Sequence, residues 1–262
     1  IIVDNIHKHF GGFRAVDGTT LEIKKNSITG LIGPNGAGKT TLFNVIAGDY
    51  KPTSGKVFLD NEDITDLPPH KLFEKGVLRT FQIPHEFSTM SVLENLMMVP
   101  GDQTGEKIIN SWFRRKTILD EEEKIKQKAI EVTKFLTIDH LLYEKAGNLS
   151  GGQKKLLELG RTMMVDAKIV LLDEVGAGVN RTLLKTIGDA ILRLNKERGY
   201  TFCMIEHDME FITKLCDPVI VLAEGKVLAE GNIEDIKKNE EVIEAYLGKG
   251  MKNTSKKRKA SN

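Results

Sequence analysis

A chain of 262 residues, 40% of them hydrophobic and with no apolar run near the roughly 18 residues that span a bilayer, suits one large α/β domain or a core with an inserted lobe. The net charge of +1 conceals a division: residues 249–262 hold six Lys/Arg and no acid, and without them 32 basic residues face 37 acidic ones. A body near −5 argues against nucleic acid as the main ligand, which calls for a basic face.

In chain order, Ile1-Ile-Val-Asp-Asn-Ile has no basic stretch feeding a long apolar one, so no secretory leader is expected. Leu21–Lys24 and Ser27–Ile32 read as strands around a Lys25-Asn26 turn. A helix is expected over Lys39–Ala47, with Leu42, Val45 and Ile46 on one face and Gly48 ending it. Lys56–Leu59, Ile169–Leu172 and Thr201–Ile205 read as strands, and Ile169–Leu172 is apolar on both faces, as a buried central strand is. Pro218–Ala223 and Lys226–Glu230, joined by Glu224-Gly225, read as an antiparallel hairpin. Between about Ser88 and Met164 the pattern turns helical. Ser91 and Glu94 form a capping box, and a longer helix is expected to start at Asp120, with Ile125, Ala129, Val132 and Leu136 as its apolar stripe. The acids at 120–123 read as the charged N-terminus of that helix. Cys203 and Cys216 have no metal-ligand spacing and read as buried small hydrophobes.

Three motifs carry chemistry. Gly33-Pro-Asn-Gly-Ala-Gly-Lys-Thr40 fits G-x-x-x-x-G-K-[ST] between a strand and a helix. Its glycines let backbone N–H groups turn around phosphate oxygens, Lys39 can reach the outer phosphates, and the Thr40 hydroxyl can ligate Mg²⁺. Ile169-Val-Leu-Leu-Asp173-Glu174 is an apolar strand ending in two acids, at the edge where nucleotide and metal lie in open α/β sheets; Glu174 stands where it can polarise water. Leu149-Ser-Gly-Gly-Gln153 reads as a helix start, either a plain cap or a second phosphate-facing N-terminus.

Together these motifs resemble the ATP-binding-cassette ATPases, for which LSGGQ is the signature, and the resemblance spans residues 2–248. It implies a P-loop NTPase α/β core with an N-terminal antiparallel β region (about 1–87 and 165–230). An inserted helical subdomain (about 88–164), C-terminal helices (about 231–248) and a basic tail (249–262) complete the expected organisation. By the same resemblance, ATP and Mg²⁺ are the cofactors. Phe10, Val16, Asn35, Gly36, Ala37, Gly38, Lys39, Thr40 and Thr41 bind nucleotide on one side, and Ser150, Gly151, Gly152 and Gln153 bind it from the facing subunit. Thr40, Gln82 and Asp173 serve the metal, while Glu174, His207 and Lys39 are catalytic.

The segments KHFGGFRAVDG, RTFQ, DEVGAGVN, IEHDM and EVIEAYLG are most similar to ATPases of branched-chain amino-acid importers; relatives with similar endings serve urea or amide uptake, or lipopolysaccharide extraction. The resemblance implies a head-to-tail pair of ATPase subunits, alike or different, on the cytoplasmic side of the membrane. Permease subunits would be direct partners and a solute-binding protein an indirect one. Phe87, Met90, Leu93, Met97 and Met98 are candidates for permease docking or for core packing. Val175 departs from the family, which usually has proline after the catalytic glutamate; Asn180 stands where much of the wider family has aspartate, though asparagine is common among the importer ATPases. A GTPase lacks its guanine reader here, since Asn195-Lys-Glu ends in Arg198 rather than aspartate. DNA-repair cassettes separate their motifs with coiled coils, whereas 110 residues lie between Lys39 and Ser150.

Overall fold

The computed structural model describes residues 1–80, 86–101 and 115–247. Gln82 and the basic tail lie outside the described residues.

Two sheets form the core. A four-stranded antiparallel sheet has the order β2-β1-β4-β5, from β1 (Ile2–Phe10), β2 (Phe13–Glu22), β4 (Ser54–Leu59) and β5 (Glu62–Asp63). A six-stranded sheet runs β10-β9-β3-β8-β7-β6, from β3 (Ile28–Ile32), β6 (Val77–Arg79), β7 (Ile169–Asp173), β8 (Phe202–Ile205), β9 (Val219–Ala223) and β10 (Lys226–Gly231). All of its pairings are parallel except the β9–β10 hairpin.

Every residue of β3, β7 and β8 is buried, because each strand is covered on both faces. Alternate side chains therefore enter different cores. Leu31, Leu171 and Cys203 pack with Val3, Ile6 and Phe43 beneath the antiparallel sheet. Ile32, Leu172 and Met204 join Leu96, Val132 and Leu157 on the side of the helical segment.

The helices are α1 (Lys39–Ile46), α2 (Pro69–Glu74), α3 (Val92–Met97), α4 (Arg115–Phe135), α5 (Gly151–Met163), α6 (Arg181–Arg198), α7 (Met209–Leu215), α8 (Ile233–Lys238) and α9 (Glu240–Leu247). The expected stripe holds, with Ala129, Val132 and Leu136 at or below 1% exposure. The expected start at Asp120 does not: α4 already covers Arg115, so the acids at 120–123 lie inside the helix and cannot serve its N-terminus. Leu93 is core, 8% exposed, rather than a docking residue, whereas Phe87 and Met98 are 45% and 43% exposed.

Candidate functional site

β3, β8 and β7 are neighbours, so the loops leaving their C-terminal ends stand side by side: Gly33–Gly38 after β3, Glu206-His207 after β8, and Asp173-Glu174 at the end of β7. Asp173 pairs with Ile205 across the sheet. Parallel order thus places three sequence-distant motifs at one edge.

The phosphate-loop residues make a backbone cradle. Gly38 has φ +98, and a Cβ there would come within 2.3 Å of the Ala15 carbonyl oxygen; Gly36 has φ +79 and faces open space. Gly38 caps α1 without a side-chain bond, and no acid lies in the first turn, so the orphan N–H groups of that helix suit an anion. Lys39, 6% exposed, donates from Nζ to the carbonyls of Gly33 (2.8 Å) and Pro34 (3.1 Å). Burial lowers its pKa, against the opposing pull of Glu174 and Asp173. Asn35 and Thr40 are exposed and Thr41 is half-buried. Ala37 is buried, so only its backbone can face a ligand.

At the end of β7, Asp173 is 5% exposed and its Oδ2 accepts from Arg79 Nη2 at 2.9 Å. Glu174 turns into left-handed backbone, φ +51, anchored by its N–H to Ile205 O at 2.9 Å and by Lys155 Nζ to its carbonyl at 3.2 Å. Its carboxylate lies 3.0 Å from His207 Nε2. The three expected catalytic residues thus share one edge.

The signature residues open α5. Ser150 and Gln153 form a reciprocal capping box, with Ser150 N–H to Gln153 Oε1 at 2.8 Å and Gln153 N–H to Ser150 Oγ at 3.4 Å. A Cβ on Gly152 would come within 1.8 Å of Leu183 on α6, while one on Gly151 would meet nothing within 4 Å. Among the described residues, no hydrogen bond joins this helix start to the phosphate loop.

One expectation changes with the geometry. Val16 is fully buried with Val3 and Ile6, so its side chain packs the core and offers no ligand surface. Phe10, 45% exposed, meets Tyr50 edge-on at 5.5 Å with Lys8 Nζ 5.0 Å from its ring, so the exposed ring expected for adenine has an aromatic neighbour. His7, His9 and Asp17 offer ligand atoms within 4.8 Å of one another. Arg14 (3.4 Å) and Lys226 (3.5 Å) already hold the Asp17 carboxylate, and two cations there oppose a third.

The model of a family described as "ABC transporter" matches residues 16–177, across the phosphate loop, the signature and the Asp173-Glu174 pair. The chain belongs to the ABC transporter family. A second model, "Branched-chain amino acid ATP-binding cassette transporter", matches residues 226–251 of this ABC transporter chain. It is 45% identical over 244 residues to the Archaeoglobus fulgidus protein named "Probable branched-chain amino acid transport ATP-binding protein LivG", covering 93% of each chain. It is 35% identical to the "High-affinity branched-chain amino acid transport ATP-binding protein LivG" of Escherichia coli K12, covering 94% of this chain and 96% of that one. Among solved structures, the ADP conformation of MJ1267, an ATP-binding cassette of an ABC transporter, superposes with a TM-score of 0.81 at 40% identity, covering 95% of this chain and 98% of that one. The α/β fold expected of such an ATPase is therefore the fold found.

Sequence reasoning missed one group in this cassette. Glu206 is 5% exposed; its Oε1 accepts from Gly176 N–H at 2.7 Å and its Oε2 from His207 N–H at 3.3 Å. Burial raises its pKa, and the two N–H bonds oppose the rise. It ties the loop carrying His207 to the loop after Glu174. An acid directly after an apolar strand is the available signal, and the neighbouring histidine masks it.

Proposed function

We propose that this chain is the ATP-hydrolysing subunit that drives a branched-chain amino-acid importer from the cytoplasmic side of the membrane. The observation that carries the chemistry is the meeting of the phosphate loop, Asp173-Glu174 and His207 at the ends of adjacent strands, with Glu174 and His207 3.0 Å apart. Support for the solute comes from the names of relatives at 35–45% identity and from the match over residues 226–251.

The uncapped start of α1 and the glycine cradle before it suit the phosphates of ATP. Lys39 exchanges its carbonyl partners for the outer phosphates, and the exposed ring of Phe10 stacks on the base. The Thr40 hydroxyl and the Asp173 carboxylate are hard oxygen donors of the kind Mg²⁺ takes, with Gln82 as a third group. Mg²⁺ held by these groups would supply neutralisation of the charge on the outer phosphates. Glu174 orients the attacking water and accepts its proton, and His207 steadies Glu174 and the γ-phosphate.

Ser150, Gly151, Gly152 and Gln153 serve the nucleotide held by a second ATPase subunit, in a head-to-tail pair. Ser150 Oγ accepts from the Gln153 N–H in the cap of α5 and keeps its own O–H to donate, and Gly151 leaves the approach to the first-turn N–H groups open. Permease subunits read closure through the groove of about 560 Å³ lined by Phe73, Arg79, Phe87, Val99 and Glu158, between the sheet edge and the helical segment. The test is co-purification from membranes followed by uptake of labelled leucine in reconstituted vesicles. Recovery with polytopic partners and ATP-dependent leucine uptake supports the reading; a complex that moves urea but not leucine contradicts the solute assignment.

A further inference from the structure

Arg79 ends β6, the edge strand of the six-stranded sheet, paired in register with Leu171 two residues before Asp173. Its side chain is 12% exposed and reaches three partners in different parts of the fold. Nη2 donates to Asp173 Oδ2 at 2.9 Å, and Nη1 donates to Asp49 Oδ2 at 2.8 Å and to Asn44 Oδ1. Asn44 lies on α1, the helix that begins at Lys39. One planar guanidinium thus joins the sheet edge, the end of β7 and the far turn of the phosphate-loop helix.

We infer that Arg79 is a positioning residue for the divalent cation, holding the Asp173 carboxylate in place against the helix that carries Lys39 and Thr40. The inference rests on the nucleotide reading above and goes beyond it, since it concerns how the cation site is kept in shape. Two effects oppose each other. A positive charge beside Asp173 weakens that carboxylate's attraction for a cation, so removing Arg79 alone would strengthen the attraction. Yet Asp173 is 5% exposed, and its carboxylate is ion-paired with Arg79. A carboxylate so buried does not keep its place without a charged partner. The nearby ammonium of Lys39, which already feels the field of Asp173, offers a replacement that would draw the carboxylate from the metal and the lysine from the phosphates. Positioning therefore outweighs charge neutralisation, and cation affinity falls when Arg79 is lost. The fork is also why lysine is a poor substitute: a single ammonium cannot hold Asp173 and Asp49 in one plane.

The test reads Mn²⁺ bound to the full chain with ATP, by electron paramagnetic resonance, alongside ATP affinity measured in EDTA. Arg79→Met is expected to raise the Kd for Mn²⁺ by about ten-fold or more, the scale for losing a group that orients a metal ligand, with metal-free ATP affinity within about three-fold of wild type. Arg79→Lys is expected to fall between the two. In an Asp173→Asn background, where no buried charge is stranded, Arg79→Met is expected to add nothing. An unchanged or tighter Kd for Mn²⁺ in Arg79→Met overturns the inference. So does a full additional loss in the Asp173→Asn background, which would mean that Arg79 acts on the fold rather than through Asp173. Wild-type protein that binds no ATP in either condition overturns the nucleotide reading itself, and is told apart because Arg79 is intact in that measurement.

Discussion

His207 Nε2 lies 3.0 Å from Glu174 Oε1, a contact between the ends of two adjacent strands that joins residues 33 positions apart. Glu174 is held at both sides of its backbone, by Ile205 O and by Lys155 Nζ, so the side chain is the part left to be oriented. The imidazole of His207, whose backbone N–H donates to Glu206 Oε2 at 3.3 Å, stands where it can orient that carboxylate. The geometry suits the proposed pairing of a carboxylate base with a group that aims it, built on strand ends.

Replacing His207 with alanine removes the aim and leaves the base. ATP hydrolysis is expected to fall by about 10²-fold, within the range for positioned acid–base groups, with ATP affinity little changed. Steady-state phosphate release checks it, and a drop in affinity matching the drop in rate would assign His207 to binding alone.

Lys39→Ala is expected to abolish tight ATP binding. The buried ammonium is the mobile cation of the cradle, and its two carbonyl partners cannot take over its charge. Fluorescent-ATP titration within a few-fold of wild type would contradict the phosphate-loop assignment.

Glu206 makes a prediction about pH. Its native pKa is raised above the ordinary 4.5 by burial, so the folded state holds this proton more tightly than the unfolded chain does. The associated stability is complete below 4.5 and is lost as pH rises through the raised native value. Glu206→Gln has no such ionisation. Thermal melts of the two proteins should diverge in favour of the variant as pH climbs from 4.5 through that window. Parallel curves would show that Glu206 does not carry this proton.

Val175 is buried at 6% and its φ is not positive, and among the described residues its N–H makes no hydrogen bond. Proline there removes no ladder bond, and Val175→Pro is expected to keep stability within about 1 kcal/mol. A much larger loss in thermal denaturation would show that the left-handed backbone of Glu174 does not tolerate a following proline.

Much of this site was legible because its signals are local. The phosphate loop is contiguous, and the capping boxes at Ser91–Glu94 and Ser150–Gln153 are four-residue patterns, each present as read. β1 escaped notice because only Val3 and Ile6 are buried along its nine residues and bulges interrupt its pairing. β6 has three residues and too little pattern to see. α6 has a legible pattern, since Ile187, Ala190, Ile191 and Leu194 repeat at helical spacing. Glu206 and Arg79 draw their meaning from groups brought close by the sheet, 30 and 94 residues away for Gly176 and Asp173. No local pattern encodes such partners.

The central claim, a nucleotide shared between two subunits, is tested most directly by size-exclusion chromatography of Glu174→Gln with ATP. The amide keeps the size of the carboxylate and removes its basicity, so hydrolysis should fall by about 10²–10⁴-fold and the ATP-bound pair should persist as a dimer. Gly151→Glu is then added. In the isolated subunit its Cβ meets nothing within 4 Å, and an acid in the first turn of α5 suits the helix dipole, so the monomer should stay folded. In the facing site the same carboxylate repels the γ-phosphate. Glu174→Gln should elute as a dimer with ATP, and Glu174→Gln/Gly151→Glu as a folded monomer. A dimer untouched by Gly151→Glu would contradict the head-to-tail account.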